Sequence, residues 1–114
     1  VYTFNGALNT LFKKAVFDFG KENVIVMTPL HRVGEDNLRG EGNKAADGEK
    51  LSFYAEVIRK QAQKYGLRVI DLYGEKALNP NISDNAKFFA DGLHPNNDGH
   101  ALLAKIIKER LGRI

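Results

Sequence analysis

The 114 residues contain no cysteine, so neither a disulfide framework nor thiolate chemistry is open to this chain, and its redox compartment is left unmarked. No apolar run approaches the roughly 20 residues that a membrane-crossing helix needs. No basic cluster appears either. Seventeen Lys and Arg stand against 14 Asp and Glu, and the lysines are scattered over helix faces (Lys13, Lys14, Lys60, Lys64, Lys105, Lys108). That is a solvated surface rather than a nucleic-acid footprint, even at a pI near 9.2. Serine is scarce, with only Ser52 and Ser83. There are no internal repeats. The chain opens on Val1 rather than Met, so an upstream segment is expected, and the lack of a leader sequence here says nothing about export or compartment.

What is present has a globular composition, 43% hydrophobic and 27% charged, and a length that allows one domain at most. Apolar residues at Phe4, Leu8, Leu11, Phe12, Ala15, Val16 and Phe19 follow helical spacing, with Thr3 or Asn5 as N-cap and Gly20 as stop. Val24–Leu30 reads as a strand buried on both faces, the habit of parallel sheets. Residues 31–50 carry four glycines and no apolar period, which predicts a long surface loop of a kind often tied to function. Leu51, Tyr54, Ala55, Ile58, Ala62 and Tyr65 form a second helical stripe, ended by Gly66. Leu67–Tyr73 reads as a second strand stopped by Gly74. Leu102, Leu103, Ile106, Ile107 and Leu111 mark a last helix, capped by Asn96 or Asn97. The Phe and Tyr residues on the helices are expected in the core.

Helix–strand alternation implies parallel crossovers and an α/β layer fold. Two strands are too few for such a core, because both faces and both edges of the sheet need cover. On physical grounds the chain reads as the second half of an α/β domain.

The densest chemistry lies in Asp91-Gly92-Leu93-His94-Pro95-Asn96-Asn97-Asp98-Gly99-His100. The residues alone leave three readings open. Asp-Gly is a turn and Pro95 starts the next element, with the histidines on the surface. Alternatively Asp91, His94 and His100 ligate a metal, although no fourth ligand is apparent. In the third reading Asp91 accepts from one ring nitrogen of His94 and leaves the other as a general base for a hydroxyl nucleophile. His31 and Arg32 follow the first strand, where the carboxyl ends of parallel strands face a ligand crevice, and are candidates for lining a substrate site or for plain surface positions. Asp71 is better read as a hydrogen-bonded residue near a strand end than as a catalyst.

Asp-Gly-x-His-Pro followed by Gly-His, carried here by Asp91, Gly92, His94, Pro95, Gly99 and His100, resembles the final conserved block of the SGNH hydrolase (GDSL esterase/lipase) family. Weaker agreement comes from Thr3–Leu8, from Val26-Met27-Thr28-Pro29 and from Val69–Tyr73. The resemblance covers essentially the whole chain but only the C-terminal half of the family's domain. It implies a three-layer α/β/α fold with a parallel, flavodoxin-like sheet, of which residues 1–114 would be the C-terminal part. It implies ester hydrolysis with His94 as catalytic histidine and Asp91 as its orienting acid, no metal and no organic cofactor. The substrate would be a small-molecule, carbohydrate or lipid ester. The family's Gly-Asp-Ser nucleophile block, the glycine of its second block and its Gly-x-Asn-Asp block do not occur here. Ser52 reads as part of a helix's first turn and Ser83 as turn chemistry, so the missing N-terminal half, or another chain, is the expected partner. The competing expectation is a non-catalytic fragment or interaction module that keeps the back half of the fold.

Overall fold

A computed structural model describes residues 3–36 and 49–112. Three helices and two strands alternate: α1 (Phe4–Phe19), β1 (Ile25–Met27), α2 (Leu51–Lys64), β2 (Arg68–Ile70) and α3 (Asn97–Leu111). This is an α/β fold. Short 3₁₀ turns fill Lys21–Asn23, Leu72–Gly74, Lys76–Leu78 and Asn85–Phe88. The expected long loop falls largely on residues 37–48, which lie outside the described residues.

The caps fall where the sequence puts them. Thr3 Oγ1 accepts from the Gly6 N–H at 2.9 Å and opens α1. Gly20, at φ 81°, closes it. Asn96 Oδ1 accepts from the Gly99 N–H at 2.9 Å and opens α3.

β1 and β2 pair in parallel, Val26 opposite Val69 and Met27 opposite Ile70. Alternation along the strands divides the packing. Val26 and Val69 join Phe12 of α1 and Ala62 of α2 in one apolar cluster. Ile25 and Ile70 join Leu72, Leu78 and Ile106 of α3 in another. Burying a side chain the size of Phe12 or Ile70 contributes about 2 kcal/mol.

Both strands are shorter than the apolar runs suggest, three residues each. Past Met27, Thr28 ends the ladder. Its N–H still reaches the Ile70 carbonyl at 3.2 Å, but its hydroxyl turns to Asp71 and Tyr73, and Pro29 has no N–H to continue. The expectation of a strand buried on both faces is also corrected: Met27 is 50% exposed, because among the described residues β1 has a partner only in β2. The aromatic stripe is only partly core. Phe12 is buried, while Phe4, Leu11 and Phe19 of the same helix are exposed, since α2 covers a narrower face of α1 than the apolar spacing offers.

The sharpest steric requirement is at Gly99. A Cβ there would lie 2.1 Å from the Phe88 carbonyl oxygen. Gly99→Ala is therefore expected to cost about 3 kcal/mol or more, since either α3 or the segment before it must move. Chemical denaturation beside the unsubstituted chain reads this, and a loss under about 1 kcal/mol would show that the approach is not required.

Candidate active site

The segment before α3 folds back on itself. Phe89 and Pro95 form an antiparallel bridge, Ala90 N–H donates to the His94 carbonyl at 2.9 Å, and Asn96 N–H donates to the Phe88 carbonyl at 2.9 Å. Asp91 lies at the tip. Its Oδ1 accepts from the backbone N–H of Leu93 at 2.9 Å and of His94 at 2.7 Å, an Asx turn. Its Oδ2 meets Nδ1 of His94 at 2.6 Å.

Three donors on one carboxylate favour its charged form. The His94 N–H, then the His94 ring, then the Leu93 N–H hold Asp91 well below the ordinary aspartate value. A charged carboxylate only accepts, so the proton sits on Nδ1 and the lone pair on Nε2. The His94 side chain is 71% exposed, so Nε2 is open to a reactant. The pair can orient and hold a proton.

Gly92 fits this turn to a second loop. Its φ is 77°, and a Cβ on it would come 2.9 Å from Val33 Cγ2. Its carbonyl accepts from the Val33 N–H at 2.9 Å. The loop after β1 is thereby pinned against the Asp91–His94 turn.

That loop carries His31, Arg32 and a residue that sequence reasoning missed, Glu35. Glu35 is buried, 8% exposed, and takes three donors: His31 Nδ1 at 2.5 Å, Asn81 Nδ2 at 3.1 Å and the Tyr73 hydroxyl at 2.7 Å. His31 stacks on Tyr73 with ring centroids 3.6 Å apart. Burial first, and then the bond to Glu35, push the Tyr73 phenol above its ordinary value, so it stays a donor. His31 lines a cavity of about 600 Å³ together with Glu35, Tyr73 and Asn81. Arg32 is half-buried, is not among the lining residues, and lends its carbonyl to Asn81 Nδ2 at 3.0 Å. The only sequence signal for Glu35 was its spacing of four from His31.

Asp71 is the hydrogen-bonded residue the sequence suggested. It accepts from Thr28 Oγ1 at 2.7 Å, Arg59 Nε at 3.1 Å and Gly74 N–H at 3.3 Å. Desolvation raises its pKa, but the Thr28 and Arg59 bonds outweigh that and leave it lowered. Ser52 sits exposed in the first turn of α2 and Ser83 in an exposed turn, with no hydrogen bond to His94. His100 stands exposed in the first turn of α3. Among the described residues, no three acidic or histidine side chains are grouped to hold a metal ion.

A profile of the GDSL-like Lipase/Acylhydrolase family matches residues 7–102. The chain belongs to that family. Hydrolase activity of the acylhydrolase type is what the family's description names. Among solved structures, one crystal structure is 23% identical with a TM-score of 0.79, covering 97% of this chain and 52% of its own. Another, of a Lactobacillus plantarum protein solved in a structural genomics programme, is 25% identical with a TM-score of 0.80, covering 97% and 54%. This GDSL-like chain thus spans about half the length of the solved structures it matches. No curated protein matches it. No described helix is long and apolar enough to cross a membrane.

The depressed Asp91 carries a testable sign. Its folded pKa lies below its unfolded one, so the stability it adds is present above about pH 4 and is lost as pH falls below it. A carboxyl ¹³C titration should show no Asp91 midpoint at 3.8, and His94→Ala should move the midpoint up toward that value. An unsubstituted midpoint at 3.8 or above would contradict the three-donor arrangement.

Proposed function

We propose that the Asp91–His94 turn is the acid–base part of a serine ester hydrolase. The observation that carries the reading is the 2.6 Å contact of Asp91 Oδ2 with His94 Nδ1, which leaves Nε2 exposed and basic. In this mechanism His94 takes the proton from a serine hydroxyl as that oxygen attacks the ester carbonyl. It returns the proton to the departing alcohol. Water then repeats the sequence on the acyl-enzyme, and Asp91 holds the tautomer and stabilises the imidazolium throughout. The substrate is a small-molecule ester, carbohydrate and lipid esters included, and the loop bearing His31 and Arg32 borders its site. No metal or organic cofactor takes part in these steps.

The nucleophile and the oxyanion hole belong, in this reading, to residues outside these 114. Three features support it. Neither Ser52 nor Ser83 is joined to His94. The chain spans about half of the structures it matches. β1 keeps one edge unpaired among the described residues. The full domain is then a three-layer α/β/α sandwich, with α1 and α2 on one face of a parallel sheet and α3 on the other, and this chain is its C-terminal portion. That apportioning follows the two apolar clusters. The half-length span also favours a second reading for the chain by itself, a non-catalytic module that keeps the back of the fold.

Two measurements separate the possibilities. In a polypeptide that supplies a Gly-Asp-Ser block, His94→Ala should lower hydrolysis of a small aryl ester by about a thousandfold or more. A loss within about tenfold would remove His94 from the mechanism. Separately, an unpaired apolar strand edge promotes association. The 114 residues alone should elute as an oligomer, or bind an added N-terminal half. A monomer with cooperative melting and no affinity for that half would overturn the half-domain assignment.

A further inference from the structure

The cavity near the Asp91–His94 turn has a wall that carries several polar side chains among apolar surface. Glu35 draws the donors of its neighbours inward: the Nδ1 proton of His31, the hydroxyl proton of Tyr73 and an Nδ2 proton of Asn81. Asn81 gives its other Nδ2 proton to the Arg32 carbonyl. A buried carboxylate needs this satisfaction, and the consequence lies on the cavity side. His31 retains the Nε2 lone pair, Tyr73 its phenolic oxygen, Asn81 its amide oxygen, and Asp36 adds a carboxylate to the lining. One amide donor balances these acceptors: Asn79 uses Oδ1 to accept from the Asn81 N–H at 2.9 Å and has its NH₂ left to offer.

Such a wall suits a ligand that donates several hydrogen bonds and accepts at least one. Hydroxyl groups do both, whereas an ammonium group only donates. Two further observations weigh against a cation. The Arg59 guanidinium already lies 5.8 Å from the Tyr73 ring centroid, and the stacked His31 ring covers a face of Tyr73 that a cation would seek. The cavity also sits next to the proposed chemistry. Gly34 and Glu35 directly follow Val33, which is bonded to the Gly92 carbonyl, one residue from Asp91.

The geometry points to this cavity as the subsite for a hydroxyl-rich alcohol, so that the ester cleaved is an O-acyl sugar or polyol. His31 Nε2 receives a substrate hydroxyl and Glu35 fixes the tautomer that makes it an acceptor. This rests on the ester-hydrolase reading for the reaction, but the binding itself does not. Glu35 is a positioning residue, and His31 and Asn79 contact the ligand. In the acylation step the serine oxygen bonds the acyl carbon as the ester C–O bond breaks, and the sugar oxygen leaves with the proton returned by His94. The subsite holds the departing alcohol through its remaining hydroxyls.

The test has a binding arm and a kinetic arm. The 114-residue chain is titrated with methyl glycosides and, in parallel, with tetramethylammonium and putrescine, following backbone amide shifts. Saturable shifts confined to His31, Glu35, Tyr73, Asn79 and Asn81 with a glycoside are expected. His31→Phe, which keeps the ring stack, should weaken them about tenfold, and Asn79→Ala about threefold, in line with lost hydrogen bonds in a partly buried site. Glu35→Gln should weaken glycoside binding and shift the His31 ring ¹⁵N signals away from the Nδ1–H tautomer, which a purely structural role would not do. Binding of the cations only, no binding at all, or glycoside affinity indifferent to all three substitutions overturns the subsite. In the polypeptide that carries the nucleophile, the ratio of kcat/KM for an acetylated methyl glycoside to that for an aryl acetate should fall about tenfold in His31→Phe. An unchanged ratio with both esters hydrolysed counts against the subsite. Hydrolysis of neither ester counts against the esterase reading, and the titration still decides the subsite.

Discussion

The arrangement hangs on the hydroxyl of Thr28. It is 2% exposed, donates to Asp71 Oδ1 and accepts from the Tyr73 N–H, so one buried atom joins the end of β1 to the turn after β2. Strands of three residues have few ladder bonds to hold their register. The Thr28 bridge supplies what the short ladder does not, and Arg59 ties the same carboxylate to α2. Three of the residues that line the cavity leave the sheet just beyond this point. His31 and Glu35 follow β1, and Tyr73 follows β2. Had either strand slipped by one residue, the His31–Tyr73 stack and the Tyr73–Glu35 bond would be lost together.

The Asp91–His94 turn is held differently, by close approach of backbone. Gly99 lets α3 press against the Phe88 carbonyl, and Gly92 lets the turn press against Val33. Both are present because a methyl group would not fit, and Gly92 also because its φ is positive. The spacing Asp-Gly-x-His-Pro thus encodes a shape first: a carboxylate that gathers two backbone N–H groups and still reaches the ring three residues on. Pro95, paired with Phe89, starts the return to the helix.

This explains which features could be read from the sequence. The three helices were legible because each has a periodic stripe, and α1 and α3 also have caps that work locally: Thr3 and the glycine after Phe19 for the first, Asn96 for the last. The Asp91–His94 pair was legible because both partners sit within four residues. The strand lengths were not, since Thr28 ends β1 through hydroxyl contacts with Asp71 and Tyr73, more than 40 residues away. The exposure of Phe19 and Leu11 was not, because it depends on how much of α1 its neighbours cover. Glu35 was hidden for the same reason. Two of its three partners, Tyr73 and Asn81, lie more than 35 residues along the chain, and its own surroundings read as polar loop.

The chain builds an acid–histidine pair twice, and burial separates the two roles. In both, a carboxylate engages Nδ1 and leaves Nε2 as the acceptor. At His94 the ring is exposed and its acid is held by local backbone, so the imidazole can gain and lose a proton with little rearrangement around it. At His31 the acid is buried among three donors and the ring is stacked on Tyr73, so a proton added there would disturb a packed network. The first environment suits proton transfer, and the second suits a fixed hydrogen-bond acceptor. The two are joined through Val33 and Gly92. In the proposed acyl transfer the first would move the proton, and the second would keep the alcohol in place until the proton arrives.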